Sequence, residues 1–318
     1  MHELAPKRAV LLADIGGTNS RFAIAGPDGR PERIVILEND ELGSLEAAIT
    51  RYLDESGVRP HAAVLAVAAP IDGEEIALTN RDWQFRRSEL ARRFGFEQLR
   101  IVNDFEAIAW GLTRLASDDV HVLGPGRPSH AGVKAVFGPG TGLGVAALVP
   151  VDGGAHVLAS EGGHVTFGPQ LPDEIEVFAR LFREHGIVSA ETILSGPGLP
   201  RLMRAVDPKS AHLTPEAVVA SALAGEPAAL ATVQLFVRLL GRFAGGLALT
   251  FKAVGGVYIA GGVASRFGAL LDAQAFRAAF EAHPPYQALL ASIPTWLMRR
   301  SEPGLLGCAV LADAFVKP

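Results

Sequence analysis

The sequence predicts an α/β protein built in two lobes, and three observations carry that expectation. The chain has 318 residues, more than one typical domain holds, and 49% of them are hydrophobic against 20% charged, the balance of a chain with real cores. Short apolar runs bounded by turn residues alternate with stretches whose apolar positions recur at helical spacing. A glycine–threonine turn between two apolar runs occurs twice, at Gly16-Gly17-Thr18 and again at Gly140-Thr141-Gly142.

Taken in order, residues 8–14 are an apolar run that ends in Gly16-Gly17-Thr18-Asn19, and residues 21–25 resume it, which is the grammar of a hairpin with a polar turn. Ser44 then opens a segment whose Leu45, Ala48, Ile49, Tyr52 and Leu53 fall on one helical stripe, with Gly57 positioned to stop it. Residues 61–69 and 99–103 are nearly continuous apolar runs, as expected of strands buried on both faces, and a helix over 105–115 follows. From Lys134 the pattern restarts with a strand over 134–137, the turn Gly138-Pro139-Gly140-Thr141-Gly142-Leu143-Gly144, and a strand over 145–151. Residues 172–185, 214–224 and 227–252 read as helices, 257–260 as a strand leading into Gly261-Gly262, 293–297 as another strand and 304–316 as a closing helix. The lobe boundary falls near Arg114.

Composition excludes several classes of function. A formal net charge of -5 argues against nucleic acid as a partner, because such binders carry a basic surplus or stripe. Cys308 is the only cysteine, so no internal disulfide and no Cys-cluster zinc site can form, which suits a reducing compartment. The apolar run 9–13 is too short for a signal-peptide core, and the apolar stretch 235–263 is broken by Arg238, Arg242 and Lys252, unlike a membrane span. The expectation is a cytoplasmic protein with a small-molecule substrate and neither a membrane nor a nucleic acid as partner.

A turn carrying Gly-Gly-Thr can aim successive backbone N–H groups and a hydroxyl at one point, a nest suited to phosphate oxygens, and two such turns make a clamp. Asp14 directly precedes the first turn, where a carboxylate would repel phosphates unless Mg²⁺ lies between them. Competing nucleotide motifs fail. No Gly-Lys dipeptide occurs anywhere, which removes the P-loop, and the dinucleotide fingerprint meets Leu143 or Val145 where it needs Gly or Ala.

Asp14-Ile15-Gly16-Gly17-Thr18-Asn19-Ser20-Arg21 resembles the first phosphate motif of the hexokinase–actin superfamily. Leu78-Thr79-Asn80-Arg81-Asp82-Trp83, Ile101-Val102-Asn103-Asp104-Phe105, Gly140-Thr141-Gly142-Leu143-Gly144, Ser160-Glu161-Gly162-Gly163-His164-Val165 and Leu194-Ser195-Gly196-Pro197-Gly198 are similar in order and spacing to the bacterial glucokinase family. Ile259-Ala260-Gly261-Gly262-Val263 occupies the place of that family's adenosine motif, and the resemblance runs from about Val10 to Leu311. It implies two ribonuclease-H-like (actin/hexokinase-type) lobes around a central cleft. The small α/β lobe would span 1–114 and be joined by the C-terminal helix 304–318, and the large α/β lobe would span 115–303. A single cysteine rules out the related branch with a Cys-rich zinc motif.

The implied activity is phosphorylation of glucose at its 6-hydroxyl by ATP, with Mg²⁺. Nucleotide binding is then expected from Asp14, Gly16, Gly17, Thr18, Asn19, Gly140, Thr141, Gly142, Gly261 and Gly262, with Asp14 holding Mg²⁺ through water. Asp104 lies just beyond an apolar strand, at the carboxyl end where α/β sheets place ligands, and could serve either as a helix N-cap or as the base. The resemblance favours the base and gives Asn103 a sugar hydroxyl. Glu161, His164 and Glu191 supply the carboxylates and imidazole that a sugar's donor–acceptor hydroxyls require. Read alone, Glu191 could equally be a first-turn helix carboxylate.

Trp83, Trp110 and Trp296 read as packing aromatics, and the pairs Arg86-Arg87, Arg92-Arg93 and Arg299-Arg300 as solvated faces. Asn80 and Pro70-Ile71-Asp72 match family loops but are explained nearly as well as turns. Similar glucokinases are commonly dimers, so a homodimer is compatible with this reading. Two alternatives stand beside it: a kinase for another hexose or an amino sugar, and a non-catalytic ATP- or sugar-sensing protein on the same scaffold.

Overall fold

Val10–Ile15 (β1) sends alternate side chains to opposite sides, and apart from Asp14 near its end both sides are apolar, which places it inside a sheet covered on both faces. The computed structural model, which describes residues 9–210 and 212–316, places it there. Residues 1–8 and 317–318 of the expected small lobe lie outside the described residues. The chain divides into two compact units, Met1–Leu115 with Arg300–Pro318, and Ala116–Arg299.

In the first unit β1 pairs antiparallel with Asn19–Ala25 (β2), which pairs antiparallel with Pro31–Glu38 (β3). On its other side β1 pairs parallel with Ala62–Val67 (β4). A small hairpin of Glu75–Ala77 (β5) and Gln84–Arg86 (β6) intervenes before Gln98–Asn103 (β7), which runs parallel to β4. The five-stranded sheet therefore has the order β3-β2-β1-β4-β7. Leu11, Ala13 and Ile15 join one core with Leu45, Ile49 and Tyr52 of the helix Leu45–Ser56 (α1). Ser44 caps that helix by accepting from the Ala47 N–H, and Gly57 ends it at φ 68°, so the predicted stripe and both of its stops are realised.

Val10 and Leu12 face the opposite core, which is closed by Leu305, Cys308, Ala309 and Ala312 of the C-terminal helix Pro303–Val316. Cys308 is fully buried, with its Sγ donating to the Ala13 carbonyl, and burial pushes its thiol pKa up, so it behaves as the small apolar residue its context suggests. The helix Arg87–Phe94 (α2) precedes β7, and the helix Asp104–Gly111 (α3) follows it. The latter is shorter than the predicted 105–115, because Leu112, Thr113 and Arg114 donate to carbonyls three residues back and tighten the chain out of α-geometry.

The second unit repeats the plan. Val120–Gly124 (β8) lies at one edge, and Lys134–Pro139 (β9), Leu143–Val151 (β10) and Gly154–Ser160 (β11) form an antiparallel meander. Gly256–Ile259 (β12) and Thr295–Met298 (β13) extend it in parallel, giving the order β11-β10-β9-β12-β13-β8. Leaving β8 aside, strand order and direction match the first sheet strand for strand, each built outward from a glycine-rich hairpin.

Helices Ile175–His185 (α4), Ala190–Ile193 (α5), Gly198–Val206 (α6), Pro215–Leu223 (α7) and Pro227–Thr250 (α8) belong to this unit. By length and composition α8 could cross a membrane, yet 72% of its most apolar window is buried inside the protein, as a core helix is. Its Arg242 is also buried, paired with the fully buried Glu174 at 2.6 Å and donating to the Gly168 carbonyl at 2.7 Å. A buried charge is tolerated when paired and hydrogen-bonded in this way.

Candidate active site

The first glycine turn is held from behind. Its closing register is Ile15 opposite Ser20, and the Gly16 N–H donates to the Asn19 carbonyl at 3.0 Å. Asn39, fully buried just beyond β3, donates from Nδ2 to the carbonyls of Gly16 at 2.8 Å and Gly17 at 3.2 Å, and from its backbone N–H to the carbonyl of Thr18 at 2.9 Å. Ser20 donates to Asn39 Oδ1 at 2.6 Å, while the acceptor-only carbonyls of Gly16 and Gly17 fix which end of the amide faces the turn. Arg81 adds a guanidinium bond to the Gly17 carbonyl at 3.2 Å, spans to the Asn39 carbonyl and Asp40, and stacks over Trp83. A trans peptide points its C=O and the next N–H in opposite directions, so drawing these carbonyls back turns the N–H groups of Gly17 and Thr18 away from Asn39. Gly17 also lies so close to Asn80 that a Cβ would meet its side chain at 3.3 Å.

Asp14 ends up partly buried, with Arg21 3.8 Å away and its carboxylate against Gly304 in the first turn of the C-terminal helix. Burial raises its carboxyl pKa, Arg21 offsets part of that rise, and Glu302 adds to it.

Asn103 and Asp104 occupy the end of β7 and the start of α3. The capping duty falls on Asn103, whose Oδ1 accepts from the N–H groups of Phe105 and Glu106 at 2.9 and 3.3 Å while its Nδ2 donates to the Ala69 carbonyl at 3.3 Å. Asp104 is the first helical residue, and its Oδ1 accepts from the Phe105 N–H at 2.9 Å. The N-cap explanation for Asp104 is therefore taken up by its neighbour. Loop 70–74 lies beside this strand end, and Arg87, expected on a solvated face, instead donates to the carbonyls of Gly73 and Ile71 and fixes that loop. An open hollow of about 560 Å³ lined by Gly43 and residues 78–83 belongs to the same unit.

In the second unit the turn Gly140-Thr141-Gly142 joins β9 to β10 and is closed by a Gly140 N–H bond to the Gly142 carbonyl. Here the carbonyl drawn back is that of Gly140, which accepts from the Gly196 N–H at 2.7 Å. Gly261 at φ 89° abuts the end of β9, where a Cβ would meet the Pro139 carbonyl at 2.5 Å, and Gly262 opens the next helix.

Glu191 and His164 meet beside this turn. The Glu191 carboxylate accepts from the Leu143 N–H at 2.8 Å and lies 3.8 Å from His164 Nε2, and a Cβ on Gly142 would meet it at 2.5 Å. Although Glu191 sits in the first turn of α5, its side chain reaches across to β10 rather than serving that helix. Backbone bonds from Phe167 to Val188 and from Ala190 to Val165 tie the two segments together. Glu161 precedes the 3₁₀ turn Gly162–His164, its carbonyl accepting from the His164 N–H at 3.0 Å. A Cβ on Gly163 would overlap the Leu143 carbonyl, so glycine is what lets that turn close on β10.

Asn39, Arg81 and Gly196 are the supporting residues that sequence reasoning did not single out. Arg81 and Gly196 stood inside recognised motifs, whereas nothing around Asn39 in the run Glu38-Asn39-Asp40-Glu41 signals burial.

The glucokinase family model matches residues 11–315. The chain belongs to the glucokinase family. A glucokinase from Paramagnetospirillum magneticum is 42% identical over 310 residues, covering 95% of this chain and 97% of the relative. Another from Tolumonas auensis is 42% identical over 305 residues, covering 94% and 95%. The crystal structure of a glucokinase from an Antarctic psychrotroph superposes with a TM-score of 0.86 at 34% identity, covering 96% of this chain and 99% of that one. Each recognised motif lies inside the span of the glucokinase match.

Proposed function

We propose that this glucokinase-family chain transfers the γ-phosphoryl group of ATP to the 6-hydroxyl of glucose, with Asp104 as the general base. The observation that carries the reading is the division of labour at the end of β7. Asn103 caps the helix, and the Asp104 carboxylate follows it at the first helical position, at the carboxyl end of the edge strand β7. Phosphoryl transfer is mainly positioning and charge neutralisation, and a base that takes the attacking hydroxyl's proton contributes about 10²- to 10⁴-fold. Asn103 retains amide N–H capacity for a sugar hydroxyl, and Glu161, His164 and Glu191 are matched to others.

The two glycine turns, with Gly261 and Gly262, serve the nucleotide in this reading. Asp14 fits a Mg²⁺ that arrives with ATP: its carboxylate is desolvated, which a cation relieves, and among the described residues no cluster of three metal-ligating side chains could hold an ion alone. When bound, Mg²⁺ would neutralise phosphate charge. The enzyme is proposed to act in the cytoplasm. A homodimer is part of the proposal, and exposed apolar side chains such as Ile175, Phe182 and Ile187 are compatible with it.

A panel of hexoses and amino sugars in a coupled ADP-release assay tests the function. Glucose should give the highest kcat/KM. Preference for another sugar would favour the alternative acceptor, and sugar-independent or absent ADP release would overturn the kinase reading.

Two variants follow from the geometry. Gly163→Ala forces the Glu161–His164 turn off β10 and should raise the glucose KM about tenfold or more, while the ATP KM changes by less than about threefold. Steady-state kinetics with each substrate varied checks this. Asp14→Asn removes a desolvated charge. A raised folded pKa favours the neutral carboxyl, so the stability Asp14 contributes is present below its unfolded value of 3.8 and lost as pH rises through the folded value. The amide should therefore raise the thermal midpoint at neutral pH by roughly 2 °C without nucleotide, while lowering kcat/KM for ATP at least about tenfold.

A further inference from the structure

We propose that Asn39, with Arg81, is a positioning residue that sets nucleotide affinity by holding the carbonyls of the first glycine turn away from the phosphates. The inference rests on the nucleotide-binding reading of that turn. Three consecutive carbonyls, those of Gly16, Gly17 and Thr18, are all engaged from the side of one buried asparagine. Left to rotate, any of these peptides could present its oxygen to an anion, and like partial charges would repel. The Asn39 amide cannot flip, because the Gly16 and Gly17 carbonyls only accept and so require Nδ2 on their side, while the Ser20 hydroxyl donates to Oδ1. Arg81 doubles the hold on Gly17 and locks the segment that carries Asn39 through the Asn39 carbonyl at 2.6 Å.

Every side-chain hydrogen bond from Asn39 or Arg81 to the turn goes to a backbone carbonyl. Both act through the backbone, and the backbone of a Gly-Gly turn has little stiffness of its own. The second turn achieves a similar end with a backbone donor, Gly196, on the Gly140 carbonyl. Two different devices thus draw back a carbonyl at equivalent places in the repeated fold.

The test is Asn39→Asp, which keeps an acceptor for Ser20 but replaces the donor facing Gly16 and Gly17 by oxygen. Losing two partly buried hydrogen bonds and gaining repulsion should weaken ATP at least about tenfold. The expected result is a rise in the ATP KM of that size with the glucose KM within about twofold, and a matching loss in calorimetric titration with a non-hydrolysable ATP analogue. Arg81→Gln, at a partly exposed position, should show the same split with a smaller change and serves if Asn39→Asp fails to fold. ATP affinity unchanged within about twofold, or ATP and glucose KM rising together as in general loosening, overturns the proposal. A wild-type protein that binds the analogue but does not phosphorylate glucose would instead sink the kinase reading, and the titration would still decide the role of Asn39.

Discussion

Asp104→Asn should lower kcat by about 10²-fold or more while the glucose KM stays within about threefold. The substitution is close to isosteric, and the new amide oxygen can still accept from the Phe105 N–H. The helix keeps its cap, because Asn103 supplies it. What disappears is the ability to take a proton from the attacking hydroxyl. A fall in kcat at constant glucose KM is therefore the signature of a lost base rather than a lost ligand. Turnover within about threefold of the parent would remove Asp104 from that role, and a parallel loss of glucose binding would make it chiefly a sugar ligand.

The largest expected effect on stability comes from a position remote from any polar chemistry. Gly307, in the C-terminal helix, lies against α3 so closely that a Cβ would overlap the Ala107 carbonyl, and a Cβ on Gly111 would in turn meet the Gly307 N at 3.3 Å. Backbone packs on backbone, so no flexible side-chain end can move aside. Gly307→Ala must push α3 bodily away, and the expected cost is about 3 kcal/mol, at the upper end of overpacking. That corresponds to a drop in thermal midpoint of roughly 8 °C, read by calorimetry or by circular dichroism. Asp104 is the first residue of the displaced helix, so the folded fraction should also lose kcat. An unchanged midpoint would mean that the two helices separate freely and that the close contact is not a constraint on α3.

The parts of this fold that announce themselves in the sequence are those buried on both faces or marked by chemistry. The run that became β4 is apolar throughout and those that became β1 and β12 nearly so, with Asp14 the one charge in β1, and Ser44 and Gly57 bracket α1 by side-chain capping and by the left-handed backbone. The edge strands β3 and β11 are not read from the sequence, although Ile34-Val35-Ile36-Leu37 and Val157-Leu158-Ala159 are apolar. Both lie at a sheet edge with most residues exposed, Ile34, Ile36 and Leu158 among them, so their pattern is neither buried throughout nor cleanly alternating. The repeated sheet order became legible only once those two strands were counted.

At the candidate site, residue types were readable and their duties were not. Asn103 and Asp104 are adjacent, and either could cap a helix; only the backbone geometry assigns the cap to Asn103. Glu191 looks locally like a first-turn carboxylate, and its bond to Leu143 spans 48 residues, a separation that local pattern cannot bridge. Asn39 shows the same limit more sharply, since an asparagine beside Asp40 and Glu41 reads as surface until its three turn contacts are seen. The resemblance supplied the motifs, and the structure supplies the hydrogen bonds that explain why small residues occupy them.

Identification of the product decides most directly whether the chain does this chemistry. The wild-type protein, incubated with glucose and Mg·ATP and followed by phosphorus and carbon NMR, should convert ATP to ADP and form a single phosphate ester on the oxygen of C6. ATP consumed only to ADP and inorganic phosphate, an ester at another carbon, or ATP left untouched in the presence of glucose would contradict it.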